Sequence, residues 1–180
     1  MASPGSGTLA FSLDEVETPL GTMFVVADGR DALRALDWSD HEERMQRLLR
    51  LHYGVGMKFR ELPRRPLAAP VRAALEAYFG GELDAIDALR VETGGTEFQR
   101  AVWAALRTIK AGETLSYGGL AERLGMPKAV RAVGLANGAN PVGVVVPCHR
   151  VIGANGSLTG YGGGLHRKQW LLRHEGALML

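Results

Sequence analysis

A single cysteine is the feature that most limits how this 180-residue chain can be stabilised. Cys148 has no second cysteine with which to form a disulfide in the chain, and it cannot supply a zinc site built from several cysteines. The fold must therefore rest on buried apolar side chains. The 46% hydrophobic and 22% charged residues are a typical globular mixture for that purpose. Cys148 itself is either a small buried residue or a reactive thiol.

The length allows one full-sized domain or two small ones. The longest apolar run, Val142–Pro147, is far shorter than the roughly 20 residues that a membrane-spanning helix needs. The first residues also lack the charged start and apolar stretch of a signal peptide. We therefore expect a cytoplasmic protein with no membrane partner.

Charge is unevenly distributed, although the formal net charge is only +2. Residues 1–92 hold 11 Lys and Arg against 15 Asp and Glu, whereas residues 93–180 hold 10 against 4. The first half is therefore −4 and the second +6. A positive half indicates a polyanionic partner for that half, although such unevenness also arises by chance in short segments.

The first half, residues 1–92, is expected to form a small α+β domain after a loose tail at residues 1–7. Short runs of strand-forming residues separated by Gly and Asp predict an antiparallel meander of three strands, at Phe11–Glu17, Met23–Ala27 and Ala32–Trp38. Apolar residues at helical spacing then predict two helices. The residues that define them are Met45, Leu48, Leu49 and His52 in the first, and Leu67, Val71, Ala74, Leu75, Tyr78 and Phe79 in the second.

The second half, residues 93–180, is expected to be mainly helical. Thr96 and Gln99 have the spacing of a capping box, and apolar residues follow at helical spacing as far as Ile109. Two short helices are predicted next, at Tyr117–Leu124 and from Pro127 to about Ala136, with a Gly-containing turn between them. This arrangement is typical of a helix-turn-helix, although most short helix pairs never contact DNA.

The segment around Cys148 carries the strongest chemical signal. A thiol is only about 3% ionised at pH 7, so a catalytic cysteine needs a base or a positive neighbour, and adjacent His149 is the candidate base. Glu175, after a predicted helix at Leu165–His174, is a candidate carboxylate to orient the imidazole. The alternative is that Glu175 is only a solvated helix end. Between them, residues 153–164 contain six glycines, which suit either close approach to a ligand or a flexible surface loop.

Short motifs occur in a fixed order through the second half. They are Gly95-Thr96-Glu97-Phe98-Gln99, Ser116-Tyr117, Ala129-Val130-Arg131-Ala132-Val133-Gly134, Asn140-Pro141, Pro147-Cys148-His149-Arg150-Val151, Tyr161-Gly162-Gly163-Gly164 and Trp170-Leu171-Leu172-Arg173-His174-Glu175. From Gly94 to Leu180 the chain resembles the O6-alkylguanine-DNA alkyltransferases. The first half resembles, less specifically, the N-terminal domain of the bacterial members often called Ogt, which implies an RNase-H-like sheet.

The resemblance implies a DNA repair protein that acts once per molecule and needs no cofactor. Cys148 would accept the alkyl group from O6 of a damaged guanine, with O4-alkylthymine as a further lesion. His149 would take the thiol proton through a water, Glu175 would orient His149, and Asn140 would brace the turn that carries the cysteine.

The same resemblance implies the contacts with double-stranded DNA. Arg131 would enter the duplex where the nucleotide leaves, and Tyr117, with Ser116 beside it, would contact the backbone. The second short helix would lie in the minor groove, which is about 6 Å wide and suits its small residues, Ala129, Ala132 and Gly134. Phosphate contacts carry little sequence preference, and we expect a monomer that could cluster on DNA.

The pocket for the alkylated base would include Val151, Tyr161 and Gly162. Gly162 stands where some relatives have Ser, so any help to the leaving oxygen there would come from a backbone amide. Some relatives bind zinc through cysteines in the first domain, and this chain has none there, so we expect no metal. A Cys-His hydrolase and a helix-turn-helix DNA-binding regulator without chemistry are the alternatives.

Overall fold

The computed structural model describes residues 10–178, and the predicted tail at 1–7 lies outside them. The predicted antiparallel meander is confirmed as strands β1 (Ser12–Thr18), β2 (Gly21–Ala27) and β3 (Leu33–Trp38), in the order β1-β2-β3. Gly21 closes the tight β1–β2 turn with φ of +113°, a backbone conformation that favours glycine.

Both faces of this small sheet are buried. Successive side chains of a strand point to opposite faces, and consecutive residues of β2 from Met23 to Ala27 are all buried. Helix α1 (Glu42–Tyr53) covers one face, where Phe24 and Val26 pack with Met45 and Leu49. Helix α2 (Ala69–Phe79) and the second half cover the other face. There, one apolar cluster joins residues of both halves, including Met23, Val25, Leu36, Tyr78, Val102, Leu106, Val142 and Leu171. The two halves therefore share a core.

The edge of β3 that faces away from β2 forms hydrogen bonds with the segment that leads to Cys148. Leu36 N donates to Pro141 O at 2.9 Å, and Gly143 N donates to Leu36 O at 3.0 Å, which forms a parallel bridge between Leu36 and Val142. The sheet thus positions the segment just before the reactive residue.

The second half is mainly helical, as predicted. Helix α3 (Glu97–Leu106) begins at the predicted capping box, in which Thr96 and Gln99 exchange both hydrogen bonds. A short parallel pair, β4 (Leu115–Ser116) and β5 (Val151–Ile152), joins two loops. The remaining helices are α4 (Tyr117–Arg123), α5 (Val130–Gly138) and α6 (Leu165–His174).

The helix-turn-helix pair is α4 and α5, but the predicted start of α5 was wrong. Pro127 lies in a turn in which Ala129 N donates to Met126 O at 2.9 Å, and the helix begins at Val130. The fixed φ of proline suits the second position of such a turn as well as the first position of a helix. Helix α3 likewise ends at Leu106, although Ile109 beyond it is buried as predicted.

No helix within residues 10–178 is long and apolar enough to cross a membrane. Over the same range, no group of three or more His, Cys, Asp or Glu side chains is arranged to hold a metal ion.

Candidate active site

Cys148 begins a single turn of 3-10 helix, Cys148–Arg150, immediately before β5. The backbone leading to it is strained. Val144 has φ of +69°, which is unusual for a β-branched residue, and Val145 N donates across it to Gly143 O at 2.8 Å. Such strain persists only where surrounding contacts hold it, and it is common at functional sites.

Asn140 supplies those contacts. Its Oδ1 accepts a hydrogen bond from Val142 N at 3.0 Å, and its Nδ2 donates to Val146 O at 2.8 Å. One buried side chain therefore joins both ends of the strained run, in the bracing position predicted from the sequence.

Cys148 itself is 8% exposed. Burial raises the pKa of its thiol, while a hydrogen bond with Asn140 and the positive charges of Arg44 and Lys168 act in the opposite direction. Because the net shift is upward, the thiol keeps its proton at neutral pH. A nucleophilic role therefore requires a base.

His149 and Glu175 lie together in the interior. His149 Nε2 is 2.8 Å from Glu175 Oε1, and both side chains are fully buried. The interpretation of Glu175 as a solvated helix end is wrong. Sequence spacing could not reveal this, because the end of α6 is covered by a helix from the first half.

Two further residues bind the same carboxylate, and sequence reasoning gave neither a role. Arg150 donates from Nε to Oε2 at 3.0 Å and from Nη2 to Oε1 at 2.8 Å. The hydroxyl of Tyr78, in the last turn of α2, donates to Oε1 at 2.7 Å. Arg150 lies in the Cys148 motif and could have been suspected, whereas Tyr78 appeared only as one apolar residue of a helix.

These contacts fix the protonation of the pair. Burial alone would raise the pKa of Glu175, but His149 and Arg150 outweigh it and hold the pKa well below its usual range. Burial lowers the pKa of His149 despite the neighbouring carboxylate, so the imidazole is neutral at pH 7. With its Nε2 proton donated to Glu175, the ring presents a lone pair at Nδ1. This buried atom has no hydrogen-bond partner among the described residues.

A buried lysine that sequence reasoning missed orders the glycine-rich loop. Lys168 of α6 is fully buried, and its Nζ donates to Val151 O at 2.6 Å, Thr159 O at 3.0 Å and Gly160 O at 3.3 Å. Tyr117 adds a hydrogen bond from its hydroxyl to Thr159 O at 3.3 Å. The loop is therefore attached both to the helix-turn-helix and to α6.

Two of the three residues predicted for the base pocket lie near the cysteine turn. Val151 is fully buried in β5, and the Tyr161 ring is 6.5 Å from the His149 ring in an edge-to-face arrangement. Gly162 lies against a residue of the first half, since a Cβ added there would be 2.6 Å from Arg44 Nε.

Arg44 of α1 is the second contribution of the first half that the sequence did not reveal. Its Nη1 donates to Asp37 Oδ2 at 2.8 Å, and its Nη2 donates to Gly138 O at 2.7 Å and Asn140 O at 3.0 Å. Arg44 therefore connects the sheet to the end of α5 and to the residue that braces the cysteine turn.

The predicted DNA-contacting residues divide between the surface and the helix-turn-helix core. Arg131 and Ala132 are exposed near the start of α5, whereas Ala129 and Gly134 are half-buried. A Cβ at Gly134 would lie 3.7 Å from the Tyr117 ring, so this position faces α4. Ser116 caps α4 by accepting a hydrogen bond from Gly119 N. Besides the small residues named from the sequence, α5 carries two exposed large apolar residues, Val130 and Leu135.

Comparison with known proteins explains why these groups occur together. A family model described as "6-O-methylguanine DNA methyltransferase, DNA binding domain" matches residues 97–177, and one described as "6-O-methylguanine DNA methyltransferase, ribonuclease-like domain" matches residues 14–93. The chain belongs to the 6-O-methylguanine DNA methyltransferase family. The predicted family and fold class, an RNase-like antiparallel sheet domain followed by a helical DNA-binding domain, are confirmed.

Individual members agree over nearly the whole chain. The methylated-DNA–protein-cysteine methyltransferase of Salmonella typhimurium is 52% identical over 167 residues, covering 93% of this chain and 96% of the relative. The crystal structure of Mycobacterium tuberculosis OGT in complex with DNA matches with a TM-score of 0.74 and 39% identity, covering 93% of this chain and 92% of that one. The O6-methylguanine-DNA methyltransferase of Pyrococcus kodakaraensis matches with a TM-score of 0.66 and 25% identity, covering 92% and 99%.

Proposed function

We propose that this protein repairs DNA by direct reversal, moving the alkyl group of O6-alkylguanine to Cys148 in a single irreversible turnover. The observation that carries the proposal is the buried pair of groups that follows the only cysteine in the sequence. Burial keeps His149 neutral, its Nε2 is hydrogen-bonded to ionised Glu175, and its Nδ1 has no partner within residues 10–178. An oriented base next in sequence to the thiol supports a nucleophilic role for Cys148.

The chemistry balances without a cofactor. The thiol proton of Cys148 passes through a water to His149 Nδ1, and Glu175 stabilises the imidazolium that forms. The thiolate attacks the alkyl carbon, a new S–C bond forms, and the C–O6 bond breaks. The departing guanine takes up a proton, which restores the normal base. Because the thiolate is a poor leaving group from the thioether that forms, the alkyl group stays on Cys148 and the protein is consumed.

The alkyl carbon lies within the base stack, so the nucleotide must leave the duplex, at a cost of a few kcal/mol. We propose that α5 enters the minor groove and that exposed Arg131 occupies the space left by the nucleotide. Ala132 leaves room for close approach, while Ala129 and Gly134 let α4 and α5 pack closely. Tyr117 and Ser116, at the start of α4, contact the adjacent backbone.

We propose that the base pocket is formed by Tyr161, Gly162 and Val151, beside the Cys148 turn. O4-alkylthymine is a second proposed lesion, with little preference for flanking sequence, because phosphate contacts from the positive half supply most of the affinity. The proposed units are residues 1–92 and 93–180 in a monomer that clusters on DNA. The change of net charge from −4 to +6 supports the division.

The decisive experiment weighs the intact protein after incubation with a duplex that contains one O6-methylguanine. We expect one added methyl group per protein, on the peptide that contains Cys148, together with restored guanine in the DNA. Cys148→Ser, which differs by one atom, should gain none. Repeated turnover, or a methyl group on another residue, would contradict the proposal. A parallel duplex with O4-methylthymine tests the second lesion.

A further inference from the structure

Tyr78, a residue of the first half, contacts the carboxylate that holds the proposed base. Its hydroxyl donates to Glu175 Oε1 at 2.7 Å, and its carbonyl accepts a hydrogen bond from His174 Nε2 at 2.7 Å. The ring is fully buried, with an edge-to-face contact to His174 at 5.2 Å. The last turn of α2 is therefore attached at two points to the end of α6, and the hydroxyl has a fixed position.

The Glu175 carboxylate does not need Tyr78 in order to be satisfied. Arg150 donates to both carboxylate oxygens, and His149 donates to Oε1. Tyr78 adds a third donor to the oxygen that His149 uses. Burial and the adjacent Glu175 charge raise the pKa of the phenol far above its usual value, so the hydroxyl keeps its proton and donates it to the ionised carboxylate.

Several donors that share one carboxylate oxygen divide its negative charge among them. We propose that the Tyr78 hydroxyl is a positioning group for alkyl transfer: it draws charge from Glu175 Oε1 and so limits how strongly the carboxylate holds a proton on His149. The inference rests on the proposed function. It gives the first half a part in the reaction that neither the sequence motifs nor the family models assign.

The surroundings of the His149–Glu175 pair decide the expected sign. Besides Tyr78 from α2, the titratable and charged groups that face the pair are Cys148 and Arg150 from the same turn, Tyr161 from the glycine-rich loop, and Lys168 and His174 from α6. Glu175 raises the pKa of His149, whereas burial, Arg150 and Lys168 lower it. Removing the Tyr78 hydroxyl returns charge to Oε1, so the pKa of His149 should rise.

The test is the pH dependence of single-turnover transfer from free O6-benzylguanine, which needs no nucleotide extrusion. The rate should rise with pH as His149 loses its proton. In Tyr78→Phe the midpoint of the rate profile should lie about 0.5 to 1 pH unit higher, which corresponds to the loss of one ordinary hydrogen bond. Tyr78→3-fluorotyrosine keeps the ring and makes the phenol a stronger hydrogen-bond donor. Its rate profile should therefore have a midpoint at lower pH than the wild-type profile.

Tyr53→Phe is the matched control. It removes a hydroxyl of the first half that lies near Gly94 and away from Glu175, and it should leave the pH profile unchanged. A lower rate in Tyr78→Phe with an unshifted profile would mean that Tyr78 only packs, and that result overturns the inference. Shifts of the same sign in the phenylalanine and fluorotyrosine variants would also overturn it. Absence of transfer in the wild-type protein would instead overturn the proposed function.

Discussion

Residues 93–180 carry a positive charge of +6 and all the sequence motifs, whereas residues 1–92 carry −4 and a sheet without evident chemistry. In the structure the two halves meet at the site. The second half supplies Cys148, His149 and Glu175, and the first half supplies Tyr78 on the carboxylate and Arg44 on the carbonyl of Asn140. Reactive groups thus come from one half and part of their support from the other.

This difference has a physical reason. Reactive groups are rare residue types in short, recognisable spacings, so they can be identified locally. Supporting groups are common residues whose role depends on distant contacts: Tyr78 meets Glu175 across 97 positions of sequence, and Arg44 meets Asn140 across 96. The comparison predicts large chemical effects from substitutions in the second half and smaller effects from substitutions where the halves meet.

The largest effect is expected for Glu175→Gln. The amide keeps the shape but loses the charge that stabilises protonated His149, and general-base help is typically worth about 10² to 10⁴ in rate. Transfer should slow within or below that range, with DNA affinity nearly unchanged. The loss of rate should be greatest at pH values between the lowered pKa of His149 and the raised pKa of Cys148. It should become smaller at higher pH, where the thiol ionises without a base.

Stability provides an independent check on Glu175→Gln. A carboxylate whose folded-state pKa lies below its ordinary value of 4.5 stabilises the fold above that pH, and this contribution is lost as the pH falls toward the folded-state pKa. Denaturant titrations at pH 7 should therefore give a larger free energy of unfolding for the wild-type protein than for Glu175→Gln. This difference should narrow below about pH 4.5. Glu113→Gln, the same change at an exposed position, should alter neither rate nor stability. Unchanged transfer in Glu175→Gln at every pH would remove Glu175 from the mechanism.

An intermediate and substrate-dependent effect is expected for Arg131→Ala. Removing the exposed side chain of α5 should slow repair of duplex DNA by about tenfold to a hundredfold, because it removes a cation and the group that holds the gap. Free O6-benzylguanine should react at nearly the wild-type rate. Rates on both substrates and a binding titration measure this, with Arg173→Ala as an exposed charge-matched control on α6. Equal losses on both substrates would mean that the site itself is disturbed.

Local sequence patterns predicted most of the fold. The meander, the capping box at Thr96 and the helix pair depend on neighbouring residues, and each agrees with the structure within a few positions. The start of α5 was misjudged because Pro127 suits two local geometries. The predicted helix α6 also put Glu175 at its end, but the contact of Glu175 with His149 could not be read from that spacing.

What could not be predicted depends on tertiary packing. In the sequence Lys168 is one charged residue of an amphipathic helix, yet it is buried because carbonyls of β5 and of the glycine-rich loop accept hydrogen bonds from its ammonium group. In the sequence Tyr78 is one apolar residue of a helix, whereas in the structure its buried hydroxyl binds the Glu175 carboxylate. In the sequence Gly162 is one residue of a glycine run, whereas in the structure it lies against Arg44 of α1. Such roles follow from which elements pack together, and local periodicity does not specify that.

The smallest effect is expected for Gly162→Ser, which tests the contact between the halves most directly. The new Cβ would lie 2.6 Å from Arg44 Nε, so the guanidinium must move and lose hydrogen bonds to Asp37, Gly138 or Asn140. We expect transfer from O6-benzylguanine to slow by about twofold to tenfold, the effect of one or two weakened hydrogen bonds.

In an Arg44→Ala background the obstruction is gone, so the serine should cost little more than Arg44→Ala alone. A double-mutant cycle of single-turnover rates measures this coupling, which should be about 0.4 to 1.4 kcal/mol for a twofold to tenfold loss. Gly29→Ser, where a Cβ meets no atom within 4 Å, is the control and should be neutral. Additive losses from Gly162→Ser and Arg44→Ala would mean that the two residues act separately.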